Sequence, residues 1–314
     1  MKLKEIYNLA IQMGIRADFR GEEEIGEELR RLGERYGKMS EEEKEEMDEE
    51  RLVNPFSDTR ILFGDPEKEA RKILAGIDIE DGELFLAKQM GDVDLVFSHH
   101  PEGKALAGLD DVMHLQIDLL VQCGVPVNIA EKLLKKRISE VARGTASINH
   151  NRIIDLTKHL DIPLMCVHTP CDNLVAKFVD DKLKKDNPAF VGDIIKSLKE
   201  IPEYKEAMKL GVGPKIFVGD KESRVGKIAL TEITGGTEGT PEIYEKLAQV
   251  GVGTVIGMHI SEKNREEAEK ANINVVIAGH ISSDSLGVNL FLDELEKNGI
   301  TIIPCGGLTR IRRF

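Results

Sequence analysis

Three apolar runs in this chain end in histidine. Val93-Asp94-Leu95-Val96-Phe97 leads into Ser98-His99-His100-Pro101. Ile162-Pro163-Leu164-Met165-Cys166-Val167 leads into His168-Thr169-Pro170-Cys171-Asp172. Val275-Val276-Ile277-Ala278-Gly279 leads into His280-Ile281-Ser282-Ser283-Asp284. In the last two, a carboxylate follows the histidine by four residues. Neutral imidazole with carboxylate is a ligand set for zinc, manganese, iron or cobalt. A fourth histidine, His259, closes the apolar stretch that starts at Gly253. It reads either as a further ligand or as a group beside the substrate. Neighbouring residues of a strand face opposite sides. His99 and His100 can therefore share a site only if the chain turns there, which Pro101 permits.

Something must bring these residues together. Each run has the length and β-branched content of a buried strand, and open α/β sheets bind ligands at strand C-termini. Further strands are expected at Lys72–Ile77, 214–218, Lys227–Ile233, Gly253–His259 and Thr301–Cys305. Helices are expected near 1–14, Gly82–Met90, 110–123, Ile129–Val141, up to Leu160, Pro170–Lys184, 190–199, 203–210, Glu262–Ala271 and Asp284–Asn298. Val125-Pro126-Val127 reads as a short extended piece. Thr234–Thr240 is a glycine-rich loop, with Thr240 as cap and Pro241 as first residue of a helix that Gly251 ends. It matches neither the dinucleotide fingerprint nor the Walker pattern, and a plain tight turn is the preferred reading over an anion cradle. His114, His150 and His159 fall in helices and read as surface or packing residues. Strand–helix alternation in the second half argues for α/β layers. The best boundary is Lys184–Pro188, so the lobes are 1–186 and 187–314.

Composition narrows the partners. With 43 basic and 56 acidic residues the net charge is −13, so no broad basic face is available for general nucleic-acid binding. No apolar run is long enough to span a bilayer, and the N-terminus lacks a signal-peptide core. A cytoplasmic protein is expected. The four cysteines form no C-x-x-C, and disulfides are not expected. Cys171 lies within the second motif but reads as a small packing residue. From Gly21 to Arg51 the chain is mostly Glu, Lys and Arg, which suits solvated helices with one thin buried stripe.

Taken together, Phe97–Pro101, His168–Asp172 and Gly279–Asp284 resemble, in order, the three motifs of the NIF-three-like dinuclear-metal family, often described as GTP cyclohydrolase type 2 homologues. Thr234-Gly235-Gly236 resembles that family's glycine-rich turn, and His259-Ile260-Ser261-Glu262 falls where the family has a Gly-Glu-x-Ser-Glu-like segment. The likeness covers roughly 58–102 and 155–310. It implies a two-lobed α/β fold with the metal site between the lobes at the C-terminal ends of strands, a homo-oligomer in the form of a hexameric ring, and two divalent metal ions per chain held by His99, His100, Asp172, His280 and Asp284. His168 would then face the substrate, and His168 or His259 would be the proton-transfer group. Three features depart from the family. Asp284 stands where Glu is usual, the segment between His100 and His168 is longer by about one helical hairpin, and residues 21–53 replace a more apolar N-terminal segment. DHH phosphoesterases also carry paired histidines, but they need an aspartate where this chain has Ser98.

The expected function is metal-dependent hydrolysis of a small molecule, a nucleotide-like one among the candidates, by cyclohydrolase-like ring opening or phosphoester cleavage. The alternative is a metal-dependent regulatory scaffold without turnover.

Overall fold

A computed structural model describes all 314 residues. Nine strands form two sheets. The first has the order β1 (Arg60–Phe63), β4 (Leu164–Cys166), β3 (Leu95–Ser98), β2 (Lys72–Gly76), β9 (Thr301–Cys305). The second has the order β5 (Lys215–Val218), β8 (Asn274–Ile277), β7 (Val252–Gly257), β6 (Lys227–Glu232). β1 is antiparallel to β4 and β5 is antiparallel to β8; all other pairs are parallel. The two sheets therefore repeat one plan: an antiparallel edge strand, then three parallel strands in reverse chain order. Each edge pair even carries an irregularity at the same place, between Ile61 and Phe63 and between Ile216 and Val218.

Parallel strands are buried on both faces, which is why β2, β3, β7 and β8 read as unbroken apolar runs. Helices Asp81–Met90 and Arg152–Leu160 cover one face of the first sheet through Leu84, Ala87 and Ile153. Helices Leu3–Ala17, Thr169–Asp186 and His280–Lys297 cover the other face. Thr169–Asp186 and His280–Lys297 also pack on the second sheet through Val175, Val179 and Leu286, so they form a middle layer shared by both sheets. They approach closely where Gly287 meets the backbone of Cys171; a Cβ at 287 would lie 2.2 Å from the Cys171 carbonyl oxygen. The outer face of the second sheet is closed by Met113, Leu120, Leu134 and Ile138 of the long segment between His100 and His168. β9, from the end of the chain, returns to the first sheet beside β2. No helix is long and apolar enough to cross a membrane.

Several boundaries differ from the sequence reading. Val125–Val127 is not extended; Pro126 precedes a helix that starts at Val127 and runs through Gly144 to Thr145. Proline lacks an N–H, and the residues just before a helix need none. The segment 110–123 splits into Leu109–Val112 and His114–Gln122. Thr240 binds the Glu242 carboxylate instead of capping, and its helix starts only at Ile243. β7 ends at Gly257, so His259 lies on the following loop. The last long helix begins at His280, not Asp284, because Gly279 turns the chain at φ 113°, a conformation that costs glycine nothing. β1 is four residues long and went unread.

The acidic segment is solvated as expected: only Ile25 of helix Glu22–Tyr36 is buried. Its end is anchored by Arg60, whose buried side chain pairs with Asp48 at 2.9 Å and Glu50 at 3.2 Å. Tyr7 also donates to Glu50.

Candidate metal centre

The three histidine-bearing strand ends converge. His99 and His100 follow β3, and their backbone N–H groups extend the ladder to the Gly76 and Ile77 carbonyls, each at 3.0 Å. His168 and Asp172 open helix Thr169–Asp186 after β4, with Pro170 in its first turn. His280 and Asp284 open helix His280–Lys297 after β8. In both helices the i, i+4 spacing puts imidazole and carboxylate on one face.

Each histidine of the first sheet is held from behind. His99 Nδ1 donates to the Val167 carbonyl at 3.0 Å. His100 Nδ1 donates to Asp78 at 2.6 Å, and His168 Nδ1 donates to Asp58 at 2.8 Å. All three rings are thus fixed with Nε2 turned away from these acceptors, the arrangement that outer acceptors impose on ligating histidines. Asp58 is fully buried and also receives the Thr169 hydroxyl at 2.6 Å. Burial alone would raise its pKa, but the His168 and Thr169 hydrogen bonds outweigh that and lower it.

The inward atoms face one another at metal-ligand spacing. His99 Nε2 is 3.5 Å from Asp172 Oδ1 and 3.6 Å from Asp284 Oδ1. Asp284 Oδ2 is 3.3 Å from His100 Nε2 and 3.6 Å from His280 Nε2. Asp172 Oδ2 is 3.7 Å from His168 Nε2. Donor atoms bound at about 2.1 Å to one cation lie roughly 3–3.5 Å apart. Moreover, His99 Nε2, Asp172 Oδ1 and Asp284 Oδ2 are buried without a hydrogen-bond partner. Buried polar atoms are rarely left so, and a cation among them would satisfy all three. Two groups meet the distance requirements of a metal site: His99, His100 and Asp284, and His99, His168 and Asp172. Without metal, the charges compensate each other. Burial opposes protonation of His99, yet Asp172 and Asp284 hold its pKa well above the ordinary value. Burial likewise works against ionised Asp284, but His100 and His99 pull its pKa far down.

The sequence-derived residues are therefore placed as follows. His99, His100, Asp172 and Asp284 come together, and His168 joins them at Asp172. His280 stands beside Asp284 with its side chain 45% exposed, and burial together with the neighbouring His259 and His100 lowers its pKa against the pull of Asp284. His259 lines the cleft, its ring 5.1 Å from that of His280, but no carboxylate pairs with it. Cys171 packs in the core beneath the site. Asp58 and Asp78 were missed. Asp78 follows directly on a strand end, which was a usable signal; Asp58 lies 110 residues from His168 and gave none.

One further carboxyl faces the cleft. Glu232, at the end of β6, accepts from the Gly239 N–H at 3.2 Å through Oε2, while its Oε1 is buried and unpartnered. Burial pushes its pKa up to about 8.

Two α/β sheets with a histidine–aspartate cleft between them define a class, and comparison with known proteins agrees on its identity. The chain belongs to the Duf34/NIF3 (NGG1p interacting factor 3) family, whose model matches residues 136–304, more than half of the chain. A relative from Clostridium perfringens, described as "GTP cyclohydrolase 1 type 2 homolog", is 22% identical over 74% of this chain and 80% of its own length. The crystal structure of a NIF3 superfamily protein from Sphaerobacter thermophilus superposes with a TM-score of 0.72 at 27% identity, covering 80% of this chain and 92% of that one.

Proposed function

We propose that the chain binds two divalent metal ions and is a metal-dependent hydrolase. The observation that carries the reading is the set of orphaned, inward-facing donor atoms, each histidine of the first sheet locked by an acceptor behind it. One group would use Asp172, His168, His99 and Asp284 Oδ1. The other would use His100, His280 and Asp284 Oδ2. Asp284 thereby spans both, its two oxygens facing different histidines. His99 has only Nε2 to offer, because Nδ1 is taken, so it serves one ion only.

A pair of such ions supplies Lewis acidity and lowers the pKa of water toward neutrality. The chain's own residues do the rest. Asp58 keeps His168 oriented and adds negative charge behind it. For His168 the 3.7 Å approach to Asp172 favours ligation over proton transfer. His259 is then the group left to move a proton at the cleft edge, because it lines the cleft and neither ring nitrogen has a hydrogen-bond partner. The substrate class stays that of a small molecule with a phosphoester or cyclic amide-like bond.

A second reading, a metal-dependent scaffold without turnover, draws on the size of the cleft. Its free volume is about 30 Å³, roughly the share of one water. The two readings separate in one experiment. The metal-loaded chain is tested on phosphoesters and cyclic amides. The hydrolase reading expects turnover that chelation abolishes, zinc or manganese restores, and His259→Ala slows about 10²-fold. Two bound ions with no turnover on any of them would favour the scaffold.

We also infer assembly as a homo-oligomer, in line with the hexameric ring expected above. Leu210, Val212 and Phe217, on and before edge strand β5, are 81%, 59% and 48% exposed, and an open apolar edge of this kind invites pairing. Light scattering that shows a monomer would contradict this.

A further inference from the structure

A second cavity, of about 390 Å³, lies between helix Glu22–Tyr36 and the segment Leu109–Gln122. That volume suits a small molecule. Of its twelve lining residues only two are apolar, so it is not a packing gap between hydrophobic faces. Four arginines, Arg20, Arg31, Arg35 and Arg51, line it together with His114. In a chain of net charge −13 this concentration of cations is out of character.

The four guanidiniums differ in how they are held. Arg20 is buried and fixed by Asp18, at 3.0 Å from both Nε and the terminal nitrogen, and by Glu28 at 2.9 Å. Arg51 is held by Asp111 at 2.6 Å through a single nitrogen. A guanidinium has five N–H donors, so both keep donors to spare. Glu28 and Asp111 are the only carboxylates in the lining, and these two arginines already engage them. Arg31 has only a 4.0 Å approach to Glu27, and Arg35 has no ion pair. Two fixed and two free guanidiniums around one cavity are the fork-like donors that phosphate oxygens accept. All the lining residues lie outside 136–304, the region the family model matches. Most come from the two parts that set the chain apart, the acidic N-terminal segment and the long segment after His100, with Arg20, Asn54, Pro55 and Ser57 flanking the first.

We propose that this cavity is a binding site for a small molecule bearing a phosphate or pyrophosphate group, with Arg31 and Arg35 closing on the anion and Arg20 and Arg51 fixed beneath it. The site is separate from the metal cleft and does not depend on how that cleft is read.

The test is calorimetric titration of the full, metal-loaded chain with inorganic pyrophosphate. The expected result is one saturable site in the parent. Arg31→Gln with Arg35→Gln should weaken it by about tenfold or more, with the circular dichroism and metal content of the parent. Arg31→Lys with Arg35→Lys, which keeps the charge but loses the planar fork, should bind more weakly than the parent and more tightly than the glutamine variant, and Asp284→Asn should leave the site in place. Three results would overturn the proposal: no saturable binding, binding unchanged in the double glutamine variant, or binding lost in Asp284→Asn instead, which would put the pyrophosphate on the metal cleft.

Discussion

The two sheets are built on one plan but equip the cleft differently. After the parallel strand beside the antiparallel edge of each comes an 18-residue helix whose head carries His-x-x-x-Asp: His168 and Asp172 after β4, His280 and Asp284 after β8. The preceding strand is followed by His99-His100 in the first sheet and by Met258-His259 in the second. In the first sheet every histidine is held by an acceptor behind the ring. In the second, neither His259 nor His280 has a hydrogen bond to its ring, and His280 is 45% exposed on its side chain. The first half is thus a wall of imidazoles whose orientation is fixed from behind. The second contributes the carboxylate that spans the cleft and two free imidazoles at its mouth. The same strand plan thus carries braced imidazoles in one half and unbraced ones in the other.

The sharpest way to break this comparison is to treat the two equivalent aspartates alike. Asp284→Asn should release both ions, because Oδ1 and Oδ2 face different histidines, whereas Asp172→Asn should release one. Atomic absorption on both variants checks it; equal losses would make the halves equivalent. The next effect concerns the second sheet's buried acid. Glu232 has an ordinary value of 4.5 and a folded value of about 8. Between those pH values the unfolded chain loses this proton while the folded chain keeps it, so stability falls as pH rises and levels off above 8. Glu232→Gln does not titrate. In the metal-free protein it should match the parent near pH 4 and exceed it by about 2–4 kcal/mol above pH 8, read from urea unfolding across that range. A constant difference would mean that Glu232 is ionised in the fold. Smaller again, Asp58→Asn and Asp78→Asn should each weaken metal affinity about 10–100-fold, while His259→Ala, on the unsupported side, should leave affinity within about threefold. Competition against a chelating dye measures all three. A large loss in His259→Ala would make it a ligand and restore symmetry between the halves.

Much of this was legible in the sequence, for a physical reason. Parallel strands buried on both faces leave continuous apolar runs, so the histidines and aspartates after them stand out in the sequence: His99, His100, His168, Asp172, His280 and Asp284 all follow such runs and meet in one cleft. What escaped depends on contacts distant in sequence. Asp58 acts only because β1 lies antiparallel beside β4, and a four-residue edge strand carries too little pattern to be read. The duplicated sheet plan has no counterpart as a sequence repeat, because strand order is set by pairing. Glu232 looked like an ordinary strand-end acid until Gly239 and the wall of the cleft closed over it.

The central claim is that the cleft between the sheets holds two metal ions sharing Asp284. Its most direct test is a crystal structure of the chain grown with zinc, with anomalous data collected at the zinc edge. The account predicts two peaks, one among His99, Asp172 and His168 and one among His100, His280 and Asp284, bridged by the Asp284 carboxylate. No anomalous peak in the cleft, or a single peak with Asp284 bound through one oxygen, would contradict it.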